Sequence, residues 1–178
     1  HDAWVNSPRR AIIDTPRSML ASYVATLDEA LDACAGMWVN VEIKNDPDEP
    51  DFDPTDRIAD AVVRSLIARC EPARWLISSF RLETVDRCRM LAPGIATAWL
   101  TVEVPAGAVE MLRDHGHRAL HPEWGSVDEA LVRRCHEAGI ELNVWTCDEP
   151  DAMRRLAGWG VDGICTNVPD IALAALGR

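Results

Sequence analysis

The sequence predicts an α/β fold of the (β/α)8-barrel class, known as the TIM barrel, and three observations support this. From Met37 onward, short β-rich runs alternate with stretches of helical period, which is typical of βα units on a parallel sheet. The strand starts lie roughly 20 to 40 residues apart, the spacing of such a barrel. No G-x-G-x-x-G loop follows any strand, which disfavours the alternative, an open doubly wound sheet of six strands.

The alternating pattern contains six candidate strands. They are residues 37–44, 74–80, 95–101, 117–121, 141–146 and 163–166. A complete barrel has eight βα units, so we expect about six of the eight in one incomplete barrel domain spanning residues 1–178.

Helix starts are marked by residues that cap exposed backbone N–H groups. Asp56 is the N-cap candidate for an apolar run of helical period that includes Val62 and Leu66. Two segments fit the capping box, in which a hydroxyl residue is followed three residues later by a glutamate. These are Thr26 with Glu29 and Ser126 with Glu129.

Composition excludes several classes of function. A formal charge of -11 would repel a nucleic acid backbone, and no basic stripe compensates for it. The apolar runs are far shorter than the roughly 20 residues of a membrane-spanning helix. The six cysteines form no C-x-x-C pair and are interpreted mostly as small core residues, which favours a reduced, cytoplasmic protein.

Glu42 and Lys44 are the first candidates for chemistry. Period-two alternation places them on the same face near the end of their strand, and in a parallel barrel the carboxyl ends of the strands form the functional mouth. A buried structural ion pair is one interpretation. The other is a metal-binding carboxylate beside a cation that binds phosphate.

Further segments extend this pattern into a resemblance. Residues 39–44 (VNVEIK), 77–80 (ISSF), 144–146 (VWT) and 160–169 (GVDGICTNVP) follow one another at spacings that resemble the strand motifs of glycerophosphodiester phosphodiesterases. The helical segment 26–31 (TLDEAL) is similar to the T-L-x-E-x-L segment of that family. The resemblance covers nearly the whole chain.

The same resemblance matches His1 and Asp2 to the H-D motif, whose histidine is one of two used for acid-base catalysis. The family's H-R-G motif, with the other histidine, and its E-x-D motif, with two further metal ligands, have no counterpart here. We expect these motifs to account for the two missing barrel units. A protein that truly began at His1 would be an incomplete barrel with two exposed parallel edges, prone to aggregate or dimerise.

The resemblance implies hydrolysis of a small-molecule glycerophosphodiester to sn-glycerol 3-phosphate and an alcohol, on Ca²⁺ or Mg²⁺. Glu42 would bind the metal, Lys44 would neutralise charge on the phosphate, and His1 would transfer a proton. Trp145 resembles the aromatic residue that packs against the glycerol, although a core tryptophan is the alternative. Phe80 is a further wall candidate.

His121 and an acidic stretch have less specific interpretations. His121 could reach the mouth, but a loop or structural histidine is the ordinary interpretation. Residues 46–56 hold several acids and three prolines after the Glu42 strand and are interpreted as a solvated, proline-stiffened loop. The alternative is a rim that disfavours anionic headgroups.

Two other functions remain open at this stage. One is a non-catalytic barrel that binds a phosphorylated ligand or a protein partner. The other is a related phosphodiesterase acting on lysophospholipids or sphingolipids, which the acidic loop disfavours.

Overall fold

The computed structural model describes residues 4–6 and 9–178. The chain forms two compact units, one ending at Ile95 and the other beginning at Ala96. In both units parallel strands alternate with helices, so the predicted α/β class is confirmed.

The first unit contains a short antiparallel hairpin followed by two parallel strands and their helices. Its elements are β1 (Trp4–Asn6), β2 (Arg9–Ala11), α1 (Leu27–Ala33), β3 (Val39–Glu42), α2 (Arg57–Ala68), β4 (Trp75–Ser79) and α3 (Leu82–Leu91). The β1–β2 hairpin was not predicted. Both predicted strands of this unit are present, shorter than predicted by one or two residues at each end.

The second unit contains four parallel strands in which each strand pairs with the next along the chain. Its elements are β5 (Ala96–Thr101), α4 (Ala108–His115), β6 (Ala119–Pro122), α5 (Glu129–Glu137), β7 (Glu141–Val144), α6 (Pro150–Trp159), β8 (Gly163–Ile164) and α7 (Pro169–Ala175). A doubly wound sheet reverses its strand order at a switch point. The sequential order within this unit favours the barrel class instead.

The described helices include none that could cross a bilayer. The longest, α2, has 12 residues, whereas a membrane-spanning helix needs about 20.

Side chains from one face of β3 contribute to the apolar core of the first unit, together with residues of β4 and of the helices. Val41 and Ile43 are buried against Leu31 of α1 and a set of α2 residues. That set is Ala59, Val62, Val63 and Leu66. Because strand side chains alternate between faces, this core fixes which residues of β3 point away from the helices.

The acidic loop after β3 is anchored by the buried side chain of Asn45. Its Nδ2 donates to the carbonyl of Asp53 at 2.9 Å and to Oδ1 of Asp56 at 2.7 Å, while its Oδ1 accepts from the Asp53 N–H at 2.9 Å. Asp53 in turn accepts from the backbone N–H of Arg57, the first residue of α2, at 2.9 Å. Asp56 precedes α2, as predicted, but its side chain makes no cap bond, and Asp53 supplies one.

The carboxylate of Asp56 connects this loop to the start of α3. It is buried and accepts from Thr84 Oγ1 at 2.6 Å and from Arg81 Nη1 at 2.6 Å, besides Asn45. Burial raises the pKa of Asp56, but the hydrogen bonds from Thr84, Arg81 and Asn45 outweigh burial and hold the pKa below its usual range. Hydrogen bonds of Asn45 and Asp56 therefore hold the two ends of the loop. Asp46 and Asp48 are exposed, as predicted for a solvated loop.

A partly buried side-chain contact joins β6 to β7 in the second unit. Asn143 Nδ2 lies 3.0 Å from His121 Nε2, and His121 is buried. An added Cβ on Gly163, the register partner of Asn143, would lie 2.4 Å from the Asn143 Oδ1, so glycine leaves room for that side chain. Burial, opposed weakly by Glu141, lowers the pKa of His121 to about 4.

The first prediction concerns Asp56. Asp56→Ala removes the carboxylate 2.6 Å from the partly buried Arg81, leaves it only Glu83 at 3.7 Å, and should lower the free energy of unfolding by about 3 kcal/mol. Because the folded-state pKa of Asp56 is depressed, this stabilisation is present above the unfolded-state pKa of about 4 and is lost as the pH falls below it. Urea denaturation should show both effects. Asp48→Ala in the same exposed loop is the control, and an equal loss in both variants would contradict the assignment.

The second prediction concerns His121. Its folded-state pKa of about 4 lies below the unfolded value of about 6.5, so the unfolded chain binds a proton first as the pH falls. Stability should therefore decrease by up to about 3 kcal/mol between pH 6.5 and 4 from this group. His121→Gln keeps an acceptor for Asn143 and should flatten that slope in denaturation measured at several pH values. Identical slopes in both proteins would refute the assignment.

Candidate functional site

Glu42 and Lys44 lie on the face of β3 opposite its helix-packed face. Glu42 is the last residue of the strand, and Lys44 follows it by two residues. The intervening residues Val41, Ile43 and Asn45 are all buried, whereas Glu42 and Lys44 are not. The alternation predicted from sequence is therefore present, at the carboxyl end of a parallel strand.

The two side chains form a loose, partly hydrated ion pair. Lys44 Nζ lies 3.5 Å from Glu42 Oε1, and their side chains are 45% and 35% exposed. Pairs with this exposure contribute little to stability because water screens them. Among the described residues the pair is therefore partly exposed rather than buried.

Two adjacent buried serines at the end of β4 lie on opposite faces of the strand and differ in their hydrogen bonds. Ser78 is the register partner of Glu42 and so shares its face, and it is fully buried. Its Oγ has no hydrogen-bond partner among the residues that the structure describes. Ser79 lies on the other face, where its Oγ donates to the carbonyl of Ile43 at 2.8 Å and accepts from the Arg81 N–H at 3.2 Å.

Phe80 follows β4 directly and is 46% exposed. An exposed aromatic ring at the carboxyl end of a strand agrees with the predicted position of a wall residue. Its role stays a prediction.

Trp145 follows the last residue of β7 and is half-buried. Its indole N–H donates to the carbonyl of His121 at 2.8 Å, and its backbone N–H donates to the carbonyl of Pro122 at 3.1 Å. Trp145 is thus fixed against the end of β6 and is not a fully buried core residue. The predicted contact with glycerol stays a prediction.

One acidic residue near the strand ends of the second unit, Asp148, joins two loops. Asp148 accepts from Thr166 Oγ1 at 2.8 Å, from the Asn167 N–H at 2.8 Å and from Asn167 Nδ2 at 2.9 Å. These bonds from Asn167 and Thr166 lower the pKa of Asp148 and keep it ionised. The loops after β7 and β8 are joined by this carboxylate, which explains part of the 160–169 segment in structural terms.

The histidines have different surroundings. His1 lies outside the described residues, so its predicted catalytic role stays a prediction. His121 is a buried residue of β6, in agreement with a structural interpretation. His117 lies just before β6, where it is buried and its Nδ1 lies 2.9 Å from Thr97 Oγ1.

Sequence reasoning missed Ser78 and the Asn45–Asp56 tie. Serine next to serine carries no local signal that distinguishes the two, and only the strand register shows that Ser78 lies beside Glu42. The partners of Asp56 are distant in sequence, so no local pattern could reveal them.

Comparison with known proteins extends across both compact units. The Glycerophosphoryl diester phosphodiesterase family matches residues 6–171. A Mycobacterium tuberculosis protein named Probable glycerophosphodiester phosphodiesterase 2 is 35% identical over 165 residues, which cover 83% of this chain and 58% of that protein. A glycerophosphodiester phosphodiesterase of Bacillus subtilis is 28% identical over 156 residues, which cover 83% of this chain and 52% of that protein.

A solved structure shows the same fold. The Oleispira antarctica phosphodiesterase, in complex with the product sn-glycerol-3-phosphate, superposes with a TM-score of 0.81 at 19% identity, covering all of this chain and 78% of its own. The chain spans little more than half the length of the two curated relatives. The match over 6–171 and the mycobacterial relative together show that the chain belongs to the glycerophosphoryl diester phosphodiesterase family.

Proposed function

We propose that the protein hydrolyses glycerophosphodiesters to sn-glycerol 3-phosphate and an alcohol with a divalent cation, Ca²⁺ or Mg²⁺. The observation that carries the proposal is the accessible Glu42–Lys44 pair, which lies at the carboxyl end of β3 on the face away from the helices. Membership of the family supports the reaction. The product bound to the Oleispira neighbour supports the substrate class.

Glu42 is the proposed metal ligand. Its carboxylate is a hard oxygen donor of the kind that Ca²⁺ and Mg²⁺ prefer, and it is accessible. The hydroxyl of Ser78, which has no hydrogen-bond partner among the described residues, belongs to the residue paired with Glu42 on the neighbouring strand. Glu42 would contribute one oxygen ligand to a divalent cation, which would supply positive charge to the non-bridging oxygens of the phosphate.

Lys44 is the proposed phosphate-binding residue. Its ammonium group is a point charge that can neutralise charge developing on a phosphate oxygen. Its ion pair with Glu42 is partly exposed to water, which weakens that pair. The anchored Asn45, which follows Lys44 directly, holds the backbone from which the lysine extends.

His1 is the proposed proton-transfer residue, on the resemblance of His1 and Asp2 to the H-D motif. In the reaction an oxygen nucleophile forms a bond to phosphorus while the bond from phosphorus to the alcohol oxygen breaks. The nucleophile gives up a proton and the departing alkoxide gains one. Imidazole suits either transfer because it titrates near neutral pH.

Trp145 is proposed to pack its ring against the glycerol carbons, and Phe80 is proposed as a further apolar wall. The fixed position of the Trp145 indole on the His121 carbonyl supports the first assignment, since a held ring needs no ordering when substrate arrives. The exposure of Phe80 supports the second.

The proposed whole is one (β/α)8 barrel of which this chain contributes about six βα units. The sequential strand order and the family match across both compact units support this architecture. We also propose a cytoplasmic location, since all six cysteines are free thiols. Burial raises the pKa of Cys88 to about 12 and of Cys135 to about 11, as for inert core residues.

The third prediction tests the proposed reaction. In the protein as its gene encodes it, sn-glycerol 3-phosphate should be released from glycerophosphocholine only with a divalent cation. Glu42→Ala and Lys44→Ala should each lower kcat/KM by about 10²- to 10³-fold, because each removes charge stabilisation of the transition state. An enzyme-coupled assay of glycerol 3-phosphate measures the release.

The control is Glu71→Ala, which removes an exposed carboxylate just before the amino end of β4. It should leave the rate within about twofold. Absence of release with every divalent cation, or an unchanged rate in Glu42→Ala, would overturn the proposed function.

A further inference from the structure

Ser78 differs from an ordinary core serine in its hydrogen bonding. Buried hydroxyl groups are nearly always paired, because leaving one unpaired loses the bonds it made to water. Ser78 is fully buried, yet its Oγ has no partner among the described residues. Its neighbour Ser79, one position along the same strand, makes two hydrogen bonds. Both residues are serines of β4, so neither the residue type nor the strand explains why the Ser78 hydroxyl lacks a partner among the described residues.

The position of Ser78 relates it to the proposed site. Ser78 pairs with Glu42 in the parallel register of β3 and β4, and adjacent strands are about 4.8 Å apart. The Ser78 carbonyl accepts from the Ile43 N–H at 2.8 Å, so the two strands remain paired up to the residue before Lys44. The backbone of Ser78 is thus held beside that of Glu42, whose carboxylate is proposed to bind the metal.

We propose that Ser78 is a positioning residue whose hydroxyl donates a hydrogen bond to an oxygen of the ligand bound by Glu42 and Lys44. This inference rests on the proposed function. The acceptor is a metal-bound water or a phosphate oxygen, which share the same chemistry: an electron-rich oxygen near a cation. Among the described residues the hydroxyl has no partner, and a bound ligand would supply one.

This role has a signature that a structural role lacks. A serine that stabilises the fold through hydrogen bonds weakens the fold when replaced by alanine. Replacing a serine whose hydroxyl is paired only when a ligand is bound should not weaken the fold, because alanine removes an unpaired polar group from the interior. Ser78→Ala should therefore be as stable as the parent protein or more so, while binding its ligand more weakly.

The fourth prediction tests this with Ser78→Ala and the matched variant Ser79→Ala in the protein as its gene encodes it. The denaturation midpoint without ligand should be unchanged or higher in Ser78→Ala and lower in Ser79→Ala. Calorimetric titration with Ca²⁺ alone, and with sn-glycerol 3-phosphate in saturating Ca²⁺, should show at least one Kd raised roughly 10-fold in Ser78→Ala. A changed Kd for Ca²⁺ alone identifies a metal-bound water as the acceptor, and a change only for the second ligand identifies a phosphate oxygen.

A lower midpoint in Ser78→Ala, or two unchanged Kd values, would overturn the role of Ser78. Ser78→Cys, which has nearly the same volume and a weaker donor, should change the Kd in the same direction by less. The proposed function is tested separately, by measuring metal-dependent release of sn-glycerol 3-phosphate by the parent protein. A parent protein that releases product while Ser78→Ala binds normally refutes only the role of Ser78, and a parent that binds neither ligand refutes both.

Discussion

Alternation along β3 is the constraint on which the rest of the site depends. Val41 and Ile43 are held by the apolar core formed with α1 and α2, so Glu42 and Lys44 must lie on the opposite face. A register slip of one residue would place both charges in that core and expose the apolar residues. The packing that stabilises the first unit therefore also presents the acid and the base at the carboxyl end of the strand.

Hydrogen bonds to the loop that follows β3 hold the end of this strand in place. Asn45 ends the alternating run and turns its side chain toward the acidic loop, where it bonds to Asp53 and Asp56. Asp56 carries the connection onward to Arg81 and Thr84 beyond β4. Two strand ends that carry Glu42 and Ser78 are thus linked through buried polar contacts, and such pre-organisation lowers the cost of ordering the site when a ligand binds.

Local periodicity was sufficient for most of the fold. All six strands appear where β-rich runs alternate with helical runs, and the Thr26–Glu29 capping box is present as predicted. The strand ends were less accurate: the alternation of buried and exposed residues continues through Asn45, although β3 ends at Glu42. Ser126 was predicted as a helix cap, but the cap is Asp128, whose carboxylate accepts from the Leu131 N–H. Both segments held plausible caps, and only three-dimensional contacts select between them.

The candidate site, like the fold, could be predicted from the sequence only in part. The face shared by Glu42 and Lys44 follows from period two, whereas their partial hydration and the unpaired Ser78 depend on neighbouring strands. The most direct test of the central claim is a crystal structure of the protein, as its gene encodes it, with Ca²⁺ and sn-glycerol 3-phosphate. The account predicts Ca²⁺ roughly 2.3–2.6 Å from a Glu42 carboxylate oxygen, with the phosphate against Lys44 Nζ. Both ligands bound elsewhere, with the Glu42–Lys44 pair intact, would contradict it.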